Sequence, residues 1–410
     1  MDYRMQEIYN KTISIVALIC IIGFLLLSLR DGHFSPVVLY GTLAFILIMF
    51  VGFFLTSAVF SGQDSSFIIL SCFISGLGLV MLYRINPDLY LKQISWFGIG
   101  VILFILSTLA TRYWINLKID PVYYYTVTLV LLALPIIFGV ERGGSKNWIQ
   151  LFGFTFQPSE LAKILFGLFL GGSLKDGHVN NFLFFSIQVI TTTGLMVLAK
   201  DLGGALLFFL TALVILFVST SRYDFTAIWG VLLIAASLIG YWLFPHVRVR
   251  VEAWLNPWQD VPGKGYQIVQ SLLAMAQGGY FGTGLGLGYP EYIPAVATDF
   301  IFSAFSEEFG FLGASAIIVT YFLLVYRGIR VSLAASRNQL KLIALAITTM
   351  FGFQIFTIIG GVIKLIPVTG VTLPFMSYGG SSMVMSFVSL GILNGICIMS
   401  IGDGEDEQAR

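Results

Sequence analysis

Apolar runs of about 20 residues, parted by short polar breaks, fill most of the chain. A helix needs about that length to cross a bilayer core. The pattern therefore predicts roughly twelve spans. They lie near residues 12–29, 37–60, 66–83, 93–111, 122–139, 159–174, 182–199, 202–219, 225–244, 300–326, 342–364 and 379–400. The sixth is short and holds Glu160 and Lys163, so a buried or re-entrant helix is an alternative reading of it. Pro158, just before it, suits a helix start. The seventh and eighth are separated only by Lys200-Asp201, a tight reversal. One insertion breaks the rhythm: Pro245 to Thr298 is long, glycine-rich and charged, and there water, headgroups and carboxylates can meet. The polar start, Met1 to Asn10, leads into a long apolar run without a small-residue cleavage site and reads as a retained span. The acidic tail, residues 403–410, is expected to be disordered.

Composition agrees. Of 410 residues, 57% are hydrophobic and 10% charged, against about 25% charged in a soluble domain. The fold class is an all-α polytopic membrane protein. A net charge of +1 gives no basic surface for nucleic acid. Cys20, Cys72 and Cys397 sit in apolar runs without a CxxC, so neither a disulfide framework nor a thiolate metal site is indicated. His33, His178 and His246 are far apart in sequence. With the N-terminus inside, Lys and Arg divide evenly between the two sides. The densest short loop, Arg327 to Lys341, carries four positive residues and no acid. It is assigned to the cytoplasm, which puts both termini there and the long loop outside. An anionic headgroup would account for the positive residues left outside.

Four constellations carry candidate chemistry. In FQPSELAK, Glu160 and Lys163 share a helix face at i, i+3. Charges inside a span face a cavity or a partner, and a structural pair locking two helices explains them as well as a site does. In LAKDLGGAL, Asp201 is either a functional carboxylate or an ordinary N-cap. In the long loop, Asp260 lies among Trp254, Trp258, Pro257 and Pro262. The apolar stretch YQIVQSLLAMA after it either lies on the membrane surface or dips into a cleft. FGTGLGLG would let backbone amides approach an anion, and Arg248, Arg250 and Lys264 nearby suit a pyrophosphate. A flexible, anchored loop is the bland alternative. Finally, Lys364 to Ser382 contains prolines, glycines and hydroxyls at membrane depth, which requires protein or a water-filled cavity to receive its backbone.

These strings resemble the SEDS (shape, elongation, division and sporulation) family, the FtsW/RodA type of peptidoglycan glycosyltransferase. FQPSELAK, DLGGAL, NPWQDVPGKGYQIVQSLLAMAQGGYFGTGLGLG, ATDFIFSAFSEEFGFLGA and PVTGVTLPFMSYGGSS occur in family order from about Ser66 onward. The resemblance implies a core over 66–402, with its catalytic loop at 245–298, and two additional helices within 1–65. It implies polymerisation of lipid II into β-1,4 glycan strands in a bacterial cytoplasmic membrane. Asp260 takes the place of the family's essential loop aspartate. Glu160 and Lys163 take those of its intramembrane pair. Asp201 takes that of PDLG, although Ala199-Lys200 replaces Gln-Pro. Lys92 stands where Arg is frequent, and GGSKNW lacks the family's usual Arg while Lys146 stands near. Gln267, Gln270, Ser377 and Gly379 complete the candidate substrate contacts.

The expected mechanism is one inverting displacement. Asp260 takes the proton of the acceptor 4-hydroxyl, and basic side chains or a divalent cation, Mg2+ or Mn2+, stabilise the leaving pyrophosphate. Glu160 holds Lys163 in place. No SxxK motif supplies a transpeptidase serine, so a class B penicillin-binding protein is the implied partner, beside other elongation or division proteins and membrane lipids. A lipid II flippase and a non-catalytic division scaffold are the competing readings.

Overall fold

A computed structural model describes residues 3–30, 36–59, 65–114, 117, 119–142, 145–151, 154–179 and 181–408. Five helices open the chain: α1 (Tyr3–Arg30), α2 (Pro36–Val59), α3 (Ser66–Ile85), α4 (Pro87–Trp114) and α5 (Pro121–Phe138). After three strands come α6 (Pro158–Ser173), α7 (Phe182–Leu198), α8 (Leu202–Thr220) and α9 (Tyr223–Leu243). The long loop holds α10 (Pro245–Leu255) and α11 (Tyr266–Gly278), and α12 (Ile301–Ala334), α13 (Asn338–Val362) and α14 (Gly380–Gln408) close the chain.

Ten of these helices are long and apolar enough to cross a membrane: α1 to α5, α8, α9 and α12 to α14. The other two expected spans form α6 and α7, shorter helices of 16 and 17 residues. The first turn of α6 is occupied by Pro158 and Glu160, both favoured there by the helix N-terminus.

Two expectations are corrected. Residues 140–156, read as connection, form a small antiparallel sheet in the order β1 (Val140–Arg142), β2 (Ser145–Leu151), β3 (Phe154–Phe156). The aromatic and β-branched residues of NWIQL and FTF favour pleated backbone. Gly143 and Gly144 of GGSKNW lie outside the described residues. The acidic tail continues α14 as helix through Gln408, because extending an existing helix avoids the cost of nucleation. Of the two alternatives for α11, the inward one holds for the face that packs into the protein: Ser271 bonds Ser303 at 2.8 Å and donates to the Val362 carbonyl at 3.1 Å, stitching α11 to α12 and α13.

The two N-terminal helices pack on the helices that follow. On α1, Gly23 and Cys20 meet Val80 and Gly76 of α3, while Gly41 and Gly52 of α2 admit Tyr90 and Val101 of α4. Small residues also let α4 and α14 approach, and Ser107 and Thr108 donate to the Val388 and Gly391 carbonyls across that seam at 3.2 and 3.0 Å.

A polar knot fixes the N-terminal part of α12. Gly310 has φ +67°, which breaks the helix there and frees carbonyls of the preceding turn. Thr283 N and Gly284 N donate to the Glu307 and Glu308 carbonyls, and Phe311 N and Leu312 N return bonds to Gly279 and Tyr280. The Glu308 carboxylate, 0% exposed, takes Gly286 N at 2.8 Å and the Arg84 guanidinium at 3.2 Å, and Arg84 also donates to the Gly288 carbonyl at 2.9 Å. Glu307 takes Tyr289 N at 2.9 Å. Breaking a buried pair strands a charge, which costs about 3 kcal/mol or more. Arg84→Met should therefore lower stability by about 3 kcal/mol, and its combination with Glu308→Gln should cost less than the two single changes together. Thermal unfolding in detergent checks this; strictly additive shifts would contradict a direct pair.

Candidate functional site

Several helices converge on residues 363–379, the irregular segment between α13 and α14. Its backbone polar groups need partners inside the protein, and three neighbours provide them. Gln93 of α4 donates to the Ser377 carbonyl at 3.0 Å and accepts from Gly379 N at 3.3 Å. The Tyr321 hydroxyl of α12 donates to the Pro374 carbonyl at 2.6 Å. The Ser377 hydroxyl bonds the Thr298 carbonyl at 2.5 Å, and Tyr378 N bonds Ala297 O at 2.8 Å. Ser377 and Gly379, candidate substrate contacts, are thus buried and shape this segment from within.

The long loop meets the same segment from the other side. Arg250 on α10 donates to the Thr369 carbonyl at 3.0 Å, and the Trp254 indole donates to that of Lys364 at 3.1 Å. Asp201 caps α8 through Gly204 N at 2.9 Å and accepts from Asn147 of β2 at 2.9 Å. It is therefore an N-cap held on a second side by the sheet. Gly203 beside it approaches Thr369 so closely that a Cβ would stand 2.9 Å from the Thr369 carbonyl oxygen. His246 lies one turn before Arg250. Burial, then the positive charges of Arg250 and Lys200, hold its imidazole below the ordinary value, so it stays neutral near pH 7.

A polar chain runs from this segment into the membrane. Glu160 and Lys163 form a 2.7 Å ion pair, Lys163 donates to Gln354 of α13 at 3.0 Å, and Gln354 donates to the Thr372 carbonyl at 2.8 Å. The Thr372 and Ser382 hydroxyls lie 2.8 Å apart. Beside the pair, Ser386, Ser389 and Gln354 help line a cavity of about 20 Å³, room for about one water.

The remaining candidates are dispersed. Asp260 ends a short 3-10 turn, is exposed, and accepts from the Lys264 amide at 3.1 Å. The Lys264 ammonium pairs with Glu252 at 3.1 Å, an exposed contact of little energetic weight. Arg248 reaches over the Tyr241 and Trp242 rings. Lys92 and Gln267 are exposed and Gln270 is half-buried. Lys146 donates to the Ile136 carbonyl at the end of α5. The expectation that the FGTGLGLG amides approach an external anion is corrected: Thr283, Gly284, Gly286 and Tyr289 donate to Glu307 and Glu308 instead. Among the described residues, no three His, Cys, Asp or Glu side chains form a cluster able to hold a metal ion.

Sequence reasoning passed over Gln93, Asn147, Gln354, Arg84, Glu307, Glu308 and Asp299. The signal for most of them was available, as an amide or charge inside an otherwise apolar run. Asp299 is half-buried between Thr298 and Phe300. Burial pushes its carboxyl above the ordinary value, against the opposing pull of the Thr298 hydroxyl and the Arg250 charge. A carboxyl raised on folding contributes stability that is complete below its unfolded value, about pH 4, and is lost as pH rises through the folded one. Asp299→Asn should therefore unfold at a higher temperature than wild type at pH 7, with the gain vanishing below about pH 4. Equal midpoints at pH 7 would contradict the assignment.

Comparison with known proteins fits this architecture. A model of the FtsW/RodA/SpoVE family, described as cell cycle protein, matches residues 65–400. Peptidoglycan glycosyltransferase RodA of Mycobacterium tuberculosis is 37% identical over 351 residues, covering 78% of this chain and 75% of the relative. Stage V sporulation protein E of Bacillus subtilis is 33% identical over 357 residues, covering 81% and 96%. Among solved structures, a chain from a peptidoglycan synthase complex that coordinates polymerization and crosslinking aligns with TM-score 0.70 and 29% identity, over 83% of this chain and 99% of that one. The rod shape determining protein RodA of Thermus thermophilus aligns with TM-score 0.62 and 28% identity, over 83% and 98%.

Proposed function

The chain belongs to the FtsW/RodA/SpoVE family, and from that membership we propose that it polymerises lipid II into β-1,4 glycan strands at the outer face of the bacterial cytoplasmic membrane. It is a multi-pass membrane protein and a peptidoglycan glycosyltransferase. In this reading both termini are cytoplasmic. The observation that carries it is the convergence of α4, α8, α10, α12 and the Glu160–Lys163 chain on one outer segment, 363–379.

Chemically, the donor's anomeric carbon is attacked by the acceptor 4-hydroxyl while undecaprenyl pyrophosphate departs from the opposite face. Configuration inverts in one step. Asp260 accepts the hydroxyl proton. Its support is an exposed carboxylate on the outer loop, held in a turn by the Lys264 amide. Arg248 and Lys92, both exposed, are the cations best placed to meet the leaving pyrophosphate. Lys163 is already neutralised by Glu160 and acts in this reading by keeping the Gln354–Thr372 strut in place.

A class B penicillin-binding protein is the proposed partner, supplying the transpeptidase serine that this sequence lacks; the solved relative from a synthase complex supports it. A flippase would draw on the same intramembrane pair, but here that pair is tied through Gln354 to the Thr372 carbonyl of the segment between α13 and α14. Removing the proposed base should cost polymerisation at least about 100-fold. Asp260→Ala should do so without moving the unfolding midpoint, because the side chain is exposed. The check is lipid II polymerisation by purified protein; normal glycan yield from the variant would remove Asp260 from the mechanism.

A further inference from the structure

A larger cavity, of about 190 Å³, lies away from the segment between α13 and α14. It is lined by Ile19, Ile22, Gly23 and Leu26 of α1, Leu77 and Val80 of α3, Leu285 of the glycine-rich loop and Phe309 of α12. No residue of α4, α6, α8, α10, α11 or the 363–379 segment contributes to it. The four α1 residues recur at the i, i+3, i+4, i+7 spacing of a single helix face. Gly23 seats that face on α3, since a Cβ there would stand 3.1 Å from Val80 Cγ2. Leu285 is held from both sides: Gly284 N donates to the Glu308 carbonyl at 3.1 Å and Gly286 N to the Glu308 carboxylate at 2.8 Å. Phe309 is stacked on Phe305 with ring centroids 4.4 Å apart.

Every lining residue is apolar. A dry apolar cavity of about 150 Å³ takes up a hydrocarbon such as benzene rather than water. An empty void would leave its lining without contacts on one side. The three helices that form the walls are long and apolar enough to cross a membrane, so the medium around them is lipid hydrocarbon. Ile19, Ile22 and Leu26 are 40%, 46% and 49% exposed, which opens the cavity along α1 to that medium. Leu285 and Phe309 place it toward the end of the bundle that bears the long loop.

We propose that this cavity is a binding site for one acyl chain of a membrane phospholipid, drawn from the leaflet beside the long loop. The seated chain braces Leu285 and Phe309, and with them the knot of Arg84, Glu307 and Glu308. A transmembrane helix of a partner, about 10 Å across, is too wide for the space. The prenyl chain of a lipid-linked precursor is the other hydrocarbon at hand, but none of the helices that carry the candidate site residues lines the cavity. Because no charged or polar side chain lines it either, the chain and not the headgroup governs affinity. Four of the eight lining residues belong to α1, outside the family match at 65–400. The site is thus a feature of the additional helices and does not depend on the glycosyltransferase reading.

The test uses the full chain, purified in detergent and stripped of lipid, as wild type, Ile22→Trp, Leu26→Phe and Leu18→Trp. Leu18 is 55% exposed on α1 and does not line the cavity. Each protein is incubated with phosphatidylglycerol or phosphatidylethanolamine of matched chains, or with undecaprenyl phosphate. Bound lipid is counted by native mass spectrometry, and the unfolding midpoint is measured with and without lipid. Wild type and Leu18→Trp should retain one phospholipid of either headgroup and unfold at a higher temperature when loaded. Ile22→Trp and Leu26→Phe fill the cavity with their own rings. They should retain at least about tenfold less, because displacing two or three methylenes suffices for that loss, and should show no gain in midpoint from lipid. Leu26→Phe, the smaller change, decides the matter if Ile22→Trp fails to fold. Equal retention by the filled variants would assign the lipid to the general annulus and overturn the site. Preference for undecaprenyl phosphate, selectivity for one headgroup, or a wild-type midpoint indifferent to lipid would each overturn it as well.

Discussion

The irregular regions between the helices depend on one constraint: backbone and charge withdrawn from water must be satisfied by the protein itself. Gly310 breaks α12 where its carbonyls would otherwise be spent within the helix. The glycine-rich loop supplies donors through Thr283 and Gly284, and the Glu308 and Glu307 carboxylates take the amides of Gly286 and Tyr289. Arg84 then balances Glu308 from α3. The result ties the end of α3, the loop after α11 and the start of α12 into one unit. Loop geometry on either side, from Asp260 to Asp299, inherits its position from that unit.

The same rule governs the segment between α13 and α14. Its irregular backbone is tolerated because Gln93, Tyr321, Arg250, Trp254 and Gln354 each satisfy one of its carbonyls. These residues come from α4, α12, α10 and α13, so the segment records the relative placement of most of the bundle. Through Gln354 it is also joined to the Glu160–Lys163 pair. The Glu160–Lys163 pair and the segment between α13 and α14 are thereby parts of one hydrogen-bonded structure.

Much of the fold was legible because hydrocarbon thickness leaves little choice: apolar runs of sufficient length became helices, although α1, α4, α12 and α14 run well past the expected ends. The exceptions have local causes. NWIQL and FTF were passed over as strands because they are short and sit between spans. The 3.6-residue pattern in YQIVQSLLAMA marked α11 as amphipathic but did not reveal that Ser271 would bury its hydroxyl against Ser303 and Val362. At the site, Glu160 with Lys163, Arg250 and Asp201 stood out as charges at membrane edges. Glycine in FGTGLGLG pointed to an external anion, but its Gly286 amide meets the Glu308 carboxylate instead, a partner that no local pattern announces. Gln93 and Asp299 were missed for a related reason: their importance arises from partners at residues 377–379 and 250, and no local pattern encodes such distant pairings.

The most direct measurement is the fate of labelled lipid II in proteoliposomes holding the wild-type chain and its cognate class B penicillin-binding protein. The account predicts long glycan strands, resolved by gel, from precursor supplied on the face that carries the long loop. Precursor moved across the bilayer and left unpolymerised would contradict it.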